Sequence, residues 1–162
     1  YKCTYTPGTA LADGSHTIKI DASDYDGNAA SQKSVTFKID TVPPTLSVTS
    51  PVDGFVTNQA ACNVQGTTND LTSSPVSVTV KLNNGNAEAA TVASNGSWSK
   101  VVTLVEGSNT ITIVATDSAG KSTTVTRTVK LDTKAPAIKA VTMTPNPVDA
   151  GKTFVISVEV TD

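Results

Sequence analysis

The segment GSNTITI (Gly107–Ile113) gives the clearest indication of the architecture, because it recurs 93 positions earlier as GSHTIKI (Gly14–Ile20). Two further pairs of segments match at offsets of 93 and 92: residues 22–27 with 115–120, and residues 37–44 with 129–136. A self-similarity of this period is typical of a repeated small domain. The chain is therefore predicted to consist of repeats of about 92 residues.

The repeat divides the chain into three predicted segments. Residues 44–135 form one complete repeat, residues 1–43 correspond to the C-terminal strands of a preceding repeat, and residues 136–162 correspond to the N-terminal strands of a following one. A few strands alone leave apolar faces and strand edges uncovered. We therefore expect the sequence to be a window on a longer chain. The alternative is a fibre in which residues 1–43 of one subunit pair with residues 136–162 of the next by strand addition.

The complete repeat has the pattern of β-strands. From Val76 to Leu82, apolar residues alternate with serine, threonine or lysine, as in a half-buried strand. The 27 Thr and 21 Val of the 162 residues suit strands and argue against a helical protein. About seven strands are predicted: 45–49, 60–66, 76–82, 88–93, 97–104, 109–116 and 123–131. With hairpin turns at Asn83–Asn86 and Ser94–Ser97, they predict an all-β fold of tandem antiparallel sandwiches.

Charge and side-chain chemistry exclude several functions. The net charge is −2, from 12 basic and 14 acidic residues, and Arg127 is the only arginine. Nucleic-acid binding normally requires a clustered basic face, so no nucleic-acid partner is predicted. No apolar run approaches 18 residues, so no membrane span is predicted. Because no acid, base and nucleophile recur or converge, the sequence predicts no catalytic, cofactor-binding or metal-binding residue, and a protein that is not an enzyme.

Several acidic residues are candidate calcium ligands. Asp24, Asp26 and Asn28 alternate, but they fail the EF-hand register because a lysine occupies the twelfth position, so a turn-capping role is preferred. Asp40 and Asp132 stand beside the two joints between repeats, and Ca²⁺ binding between domains is an open alternative there. The joints themselves are short and contain proline, which limits bending between neighbouring repeats.

The two cysteines fall in different predicted domains, so a disulfide between Cys3 and Cys62 is not expected. Cys62 shares its strand face with Ala60 and Val64, which predicts a small buried apolar residue. An interchain bond through Cys3 is left as an alternative.

Four other features have a structural interpretation and an alternative functional one. His16 has no triad partner and is expected to be partly exposed. Trp98 is expected to pack in the core or at the end of a sheet, with a sugar-stacking platform as the alternative. Arg127 is expected to extend to solvent over the sheet edge. The sequon Asn95–Ser97 lies on a turn, where it would matter only in a eukaryotic secretory setting. A Lys–Asn or Lys–Asp isopeptide crosslink is also left open.

The sequence resembles bacterial immunoglobulin-like repeats, in particular modules similar to domain B of glucodextranase. The residues that carry the resemblance are Pro44–Gly54, Asn95–Trp98, Leu104–Ile113 and Ala115–Gly120, and Thr144–Gly151 is similar to a sister variant. Such repeats occur as tandem spacers in surface proteins, adhesins, extracellular glycosidases and phage tail or fibre proteins. The resemblance therefore implies an extracellular setting, on a bacterial cell surface or a virion, and transfers no catalytic residue.

Two functions remain as hypotheses. The first is a non-enzymatic spacer or stalk whose partners are the neighbouring immunoglobulin-like repeats, or other copies in a fibre. The alternative is an accessory module that binds a surface glycan or another surface ligand through Trp98 or the hairpin tips.

Overall fold

The computed structural model describes residues 4–161, in which thirteen β-strands alternate with turns and loops. Within these residues no helix is long and apolar enough to cross a membrane. Cys3, with its interchain alternative, lies outside the described residues. The strands are β1 (Gly14–Ile20), β2 (Lys33–Ile39), β3 (Thr45–Ser50), β4 (Phe55–Thr57), β5 (Ala61–Asn69), β6 (Ser77–Leu82), β7 (Ala87–Ala89), β8 (Thr91–Val92), β9 (Ser97–Thr103), β10 (Gly107–Thr116), β11 (Ser122–Leu131), β12 (Ala137–Thr144) and β13 (Val155–Thr161).

Strands β3 to β11 form two facing sheets. The four-stranded sheet has the order β3-β5-β9-β8, and the five-stranded sheet has the order β4-β11-β10-β6-β7. All the neighbouring strands are antiparallel except β4 and β11, which run parallel. These two strand orders are those of an immunoglobulin-like sandwich. The predicted fold class, an all-β immunoglobulin-like sandwich, is confirmed.

The core between the two sheets comes from the alternating apolar positions of both. On β10 every second side chain, at Ile111, Ile113 and Ala115, has no exposed surface. Cys62 on β5 is 7% exposed, which confirms it as a small buried residue, and burial raises the pKa of its thiol. The buried apolar residues are Cys62, Val64, Val78, Val80, Trp98, Leu104, Ile111, Ile113, Ala115, Val129 and Leu131.

Two details of strand pairing differ from the sequence prediction. The predicted strand 88–93 is two short strands, because the chain leaves the five-stranded sheet after β7 and joins the four-stranded sheet as β8. At the crossing, the Ala90 N–H donates to the carbonyl oxygen of Val78 at 2.8 Å. Strand β4 was not predicted, since three residues are too few to show an alternating pattern. The sandwich therefore has nine strands instead of about seven.

Arg127 lies differently from the prediction. Its side chain is half-buried, Nη2 lies 3.5 Å from the carbonyl oxygen of Val48, and Nε is buried without a hydrogen-bond partner. The expected extension into solvent is therefore wrong: the guanidinium spans from β11 to β3 where the two sheets meet at an edge.

The corner before β10 is fixed by a buried asparagine. Asn109 has no exposed surface, and its side chain donates to the carbonyl oxygens of Val105 at 2.7 Å and Gly107 at 3.0 Å. His16, at the matching position of the first repeat, makes the same type of contact through Nε2, 2.7 Å from the carbonyl oxygen of Ala12. His16 is half-buried and therefore has a structural role, in agreement with the expectation that it is partly exposed.

The strand pairs on either side of the sandwich expose their apolar side chains. Strands β1 and β2 pair antiparallel, as do β12 and β13, and each pair forms a two-stranded sheet. Ile20 is 56% exposed and Ile138 is 67% exposed, whereas equivalent strand positions in the sandwich are covered by the opposite sheet.

Trp98 and Gly66 occupy neighbouring strands at a tight point of the four-stranded sheet. Gly66 on β5 pairs with Trp98 on β9 and with Val48 on β3. A Cβ atom at Gly66 would overlap the carbonyl oxygen of Ser47 and would lie 2.9 Å from Cζ2 of Trp98. Trp98 is 2% exposed, which confirms its expected packing role and leaves no ring face for a sugar.

We predict that Gly66→Ala destabilises the sandwich by about 3 kcal/mol or more, because the overlapping Ser47 oxygen is held in a strand ladder and cannot yield. Urea unfolding followed by Trp98 fluorescence measures the change. Gly8→Ala is the control, because a Cβ atom there meets nothing within 4 Å. Equal stability of the two variants would contradict the predicted close approach.

Asp53 fastens the turn between β3 and β4 to β11. Its Oδ1 accepts hydrogen bonds from the Thr128 N–H at 2.7 Å and the Thr128 hydroxyl at 2.8 Å. The Gly54 N–H, at φ 75°, donates back to the Thr128 carbonyl oxygen at 2.9 Å. The two bonds from Thr128 to the carboxylate, above all that from its N–H, hold the pKa of Asp53 below its ordinary value of 3.8.

We predict that Asp53→Asn lowers stability most above pH 5 and that the difference from the unmodified protein shrinks as the pH falls through the lowered pKa. A carboxylate whose folded-state pKa is depressed stabilises the folded state above its unfolded pKa and loses that effect in acid. Urea midpoints between pH 2.5 and 7 measure this. Asp149→Asn, whose side chain accepts no hydrogen bond in the part of the chain that the structure describes, should show no such trend.

Candidate functional site

Asp24 is a turn residue in the structure. Its Oδ1 accepts from the Asn28 N–H at 2.8 Å, and its Oδ2 accepts from the Asn28 side-chain amide at 2.7 Å. The side-chain bond from Asn28 is the main reason that the pKa of Asp24 is lowered. The expected turn-capping role is confirmed.

The two joints between repeats are held by the same kind of hydrogen bond, from a threonine of the joint to a carboxylate. Thr41 donates through its N–H and its hydroxyl to Asp13 Oδ1, at 2.9 Å and 3.0 Å. At the second joint, Thr133 contacts Glu106 in the same way, with its hydroxyl 2.8 Å from Oε2. Asp13 and Glu106 stand 93 positions apart, as the repeat requires. Each joint is therefore bonded to the strand pair from which the chain has just emerged.

The first joint is also bonded to the sandwich that follows it. Pro44 is fully buried, and its carbonyl oxygen accepts from the Thr123 hydroxyl at 2.6 Å. One residue later, the Thr45 carbonyl oxygen accepts from the Thr68 hydroxyl at 2.7 Å. The five residues from Asp40 to Pro44 are thus held on both sides.

Three aspartates meet at the first joint. Asp40 directly follows β2, Asp70 directly follows β5, and Asp117 directly follows β10. One carboxylate oxygen of each lies within 4.8 Å of one oxygen of each of the others. Asp117 is buried, and the other two side chains are half-buried. We call these three residues the joint cluster.

Backbone N–H groups orient the carboxylates of the joint cluster. Each Oδ1 accepts from the loop that follows its own strand, which leaves Oδ2 of Asp40 and Asp117 buried without a hydrogen-bond partner. The donors are Val42 for Asp40, Thr72 and Ser73 for Asp70, and Ala119 and Lys121 for Asp117. The Ser118 hydroxyl donates to the Ser73 carbonyl oxygen at 3.0 Å and so ties two of these loops together.

The second joint has a different arrangement. Asp132 follows β11 as Asp40 follows β2, but its Oδ2 lies 3.1 Å from Lys130 Nζ. That contact is the main cause of the lowered pKa of Asp132. The repeat marks Asp40 and Asp132 as equivalent positions, whereas the structure groups Asp40 with Asp70 and Asp117. A sequence signal existed for part of the cluster: Asp117 stands immediately after the predicted strand 109–116 and Asp40 stands at the predicted joint, whereas the predicted strand 60–66 ends before Asp70, which directly follows β5 only in the structure.

Comparison with known proteins agrees with the fold. The family model described as glucodextranase, domain B, matches residues 44–133, and a model described as bacterial Ig-like domain matches residues 1–41. Bacillopeptidase F of Bacillus subtilis (strain 168) is 31% identical over 135 residues, which are 83% of this chain and 9% of that protein. The PII-type proteinase of Lactococcus lactis subsp. cremoris is 30% identical over 154 residues, 89% of this chain and 8% of that protein.

Two solved structures match this chain at low sequence identity. The fibronectin(III)-like modules of Clostridium thermocellum CbhA match 76% of this chain and 65% of theirs, at 19% identity and a TM-score of 0.47. A tetra-tandem repeat in the extending region of a large adhesion protein matches 92% of this chain and 46% of its own, at 24% identity and a TM-score of 0.47. The family model described as glucodextranase, domain B, covers more than half of the residues of this chain, so the chain belongs to the family of glucodextranase domain B modules.

Proposed function

We propose that the chain is a non-enzymatic spacer, in which the complete repeat of residues 44–135 and its neighbours form part of a stalk in a longer bacterial extracellular protein. The observation that carries the proposal is the hydrogen bonding of the joints to the neighbouring strands. Thr41 is bonded to the strand pair before it and Pro44 to the sandwich after it, so the connection does not behave as a free linker.

The threonine–carboxylate hydrogen bond recurs at both joints, which supports a role that depends on how consecutive repeats are connected. Thr133 and Glu106 repeat at the second joint what Thr41 and Asp13 do at the first. A contact that recurs in successive repeats constrains the start of each joint in the same way, and a stack of repeats with constrained joints acts as a rod of defined length.

The relatives support an accessory place in a longer protein. The chain spans 9% of Bacillopeptidase F and 8% of the PII-type proteinase, so the proteolytic activity in those names is not assigned to this chain. The resemblance to tandem spacers supports an extracellular location.

The exposed apolar strand pairs support neighbouring repeats as partners. Ile138, Val141 and Ile156 are each more than half exposed, and so is Val35 in the preceding pair. Contiguous exposed apolar surface of this kind normally lies against another element. We propose that the missing strands of adjacent repeats cover both pairs.

A glycan-binding module remains the second hypothesis, although Trp98, the residue best suited to stack against a sugar, is not accessible. Trp98 is buried, so a sugar would have to bind at the hairpin tips without that ring.

We predict a single narrow distance between spin labels on Ser34 of β2 and Ser99 of β9, both of which are exposed. Pulsed electron paramagnetic resonance on the whole 162-residue chain, in millimolar Ca²⁺, measures the distribution. Cys3→Ser removes one competing thiol, and Cys62 is protected by burial.

The control inserts about ten Gly and Ser residues after Val42, which should broaden the distribution to that of a flexible linker. A distribution equally broad without the insertion would refute the spacer. Binding on a glycan array that depends on the tip at Asn95 would favour the accessory-module hypothesis instead.

A further inference from the structure

We propose that the outer edge of β3 is a strand-pairing surface for β3 of a second copy of this chain, and that Arg127 keeps this surface closed. The proposal goes beyond the spacer role and does not depend on it, because it rests on one side of the sandwich and not on the joints. Its consequence is that neighbouring chains stay separate although each of them has an open strand edge.

Strand β3 has the most backbone groups to offer among the strands at the ends of the two sheets. These end strands, within residues 45–131, are β3, β4, β7 and β8. β3 has six residues, whereas β4 and β7 have three each and β8 has two. Edge strands expose N–H and C=O groups that can pair with a strand of another molecule, and very short edge strands reduce this risk. Length does not protect β3 in this way.

The carbonyl groups of β3 point alternately toward β5 and toward the outer edge. The Ser47 carbonyl oxygen faces β5, since a Cβ atom at Gly66 would overlap it. Because backbone groups of successive residues in a strand point in opposite directions, the groups of Pro44, Leu46 and Val48 face away from β5. We call the backbone groups of these three residues the β3 edge.

Two side chains of β11 bond the two ends of the β3 edge. The Thr123 hydroxyl donates to the Pro44 carbonyl oxygen at 2.6 Å, and Arg127 Nη2 lies 3.5 Å from the Val48 carbonyl oxygen. The bonded residues are four positions apart on both segments, so one face of β11 covers the edge from end to end. A strand of a second molecule therefore has to displace the guanidinium before it can pair with Val48.

Arg127 is an unfavourable residue for the stability of the sandwich itself. It lies on the inward face of β11 between Val125 and Val129, and its Nε is buried without a hydrogen-bond partner. Within residues 4–161 it forms no ion pair. Burial of part of a charged group without partners is costly, and Val35 stands at the matching position of the preceding repeat. An inward-pointing charge at a sheet edge is, however, a known protection against edge-to-edge pairing.

The β3 edge is complementary to itself across a two-fold axis. In an antiparallel pair centred on Leu46, the N–H and C=O groups of each Leu46 bond to those of the other, and Val48 lies opposite Pro44 of the second copy. Residues opposite each other share a face, so both Leu46 side chains stay on the core side. The pair would also bring two Arg127 guanidiniums together, where like charges repel. Because a two-fold pair is closed, association through this edge ends at a dimer.

Sedimentation of the 162-residue chain and its Arg127→Val variant tests the proposal. We expect Arg127→Val to dimerise with a dissociation constant at least about tenfold below that of the unmodified chain. The urea midpoint should be unchanged or higher, because valine fits beside Val125 and Val129 and buries no polar atom. Lys130→Val is the matched control: it removes one positive charge from the outward face of the same strand and should not change the association.

Amide hydrogen exchange locates the contact. The N–H groups of Leu46 and Val48 face the open edge, so in Arg127→Val they should exchange more slowly as the protein concentration rises. The N–H group of Ser47 faces β5 and should exchange at the same rate at every concentration.

The proposal is overturned if Arg127→Val associates no more than Lys130→Val at concentrations up to about 1 mM. It is also overturned if the newly protected amides lie in β1, β2, β12 or β13 and not in β3, or if the urea midpoint falls without association, since Arg127 would then be a packing residue.

Arg127→Met, which keeps the length of the side chain without its charge, is measured in the same way if Arg127→Val does not fold. Loss of folding in both variants overturns the proposal, because it assigns Arg127 no role in folding. None of these results bears on the spacer, which is tested by the label distance between β2 and β9.

Discussion

The antiparallel ladder between β10 and β11 is the constraint on which the rest of the structure depends. It pairs ten consecutive residues, from Gly107 opposite Leu131 to Thr116 opposite Ser122. Its inward face supplies much of the core, and its outer edge carries β4. Because the ladder runs the length of the sandwich, its turn places Asp117 at the end near the first joint, while its free end places Asp132 at the other.

The properties that follow from local pattern were predictable from the sequence. Alternation identified the faces of the long strands, and the 92–93-residue repeat predicted the positions of the joints. The short strands were not predictable in this way. Whether the chain near Ala90 stays in one sheet or crosses to the other depends on the twist and spacing of both sheets, which an alternating pattern does not encode.

The joint cluster was also not predictable from an alternating sequence pattern. Asp40, Asp70 and Asp117 are 30 and 47 positions apart, and only the paired order of β5, β10 and the joint brings them together. The sequence correctly marked Asp40 as a joint residue, but it suggested Asp132 as a residue of the same kind. The difference arises because Lys130 is close enough to pair with Asp132, whereas Lys38 lies against a backbone carbonyl.

The parallel pairing of β4 with β11 has a mechanical consequence. These strands lie near the two ends of the repeat's chain, and they bond side by side at Phe55–Thr57 and Val129–Leu131. Tension transmitted along a row of repeats pulls such strands in opposite directions along their length. The hydrogen bonds between them are then loaded together in shear and not opened one after another, so this short strand resists extension more than its three residues suggest.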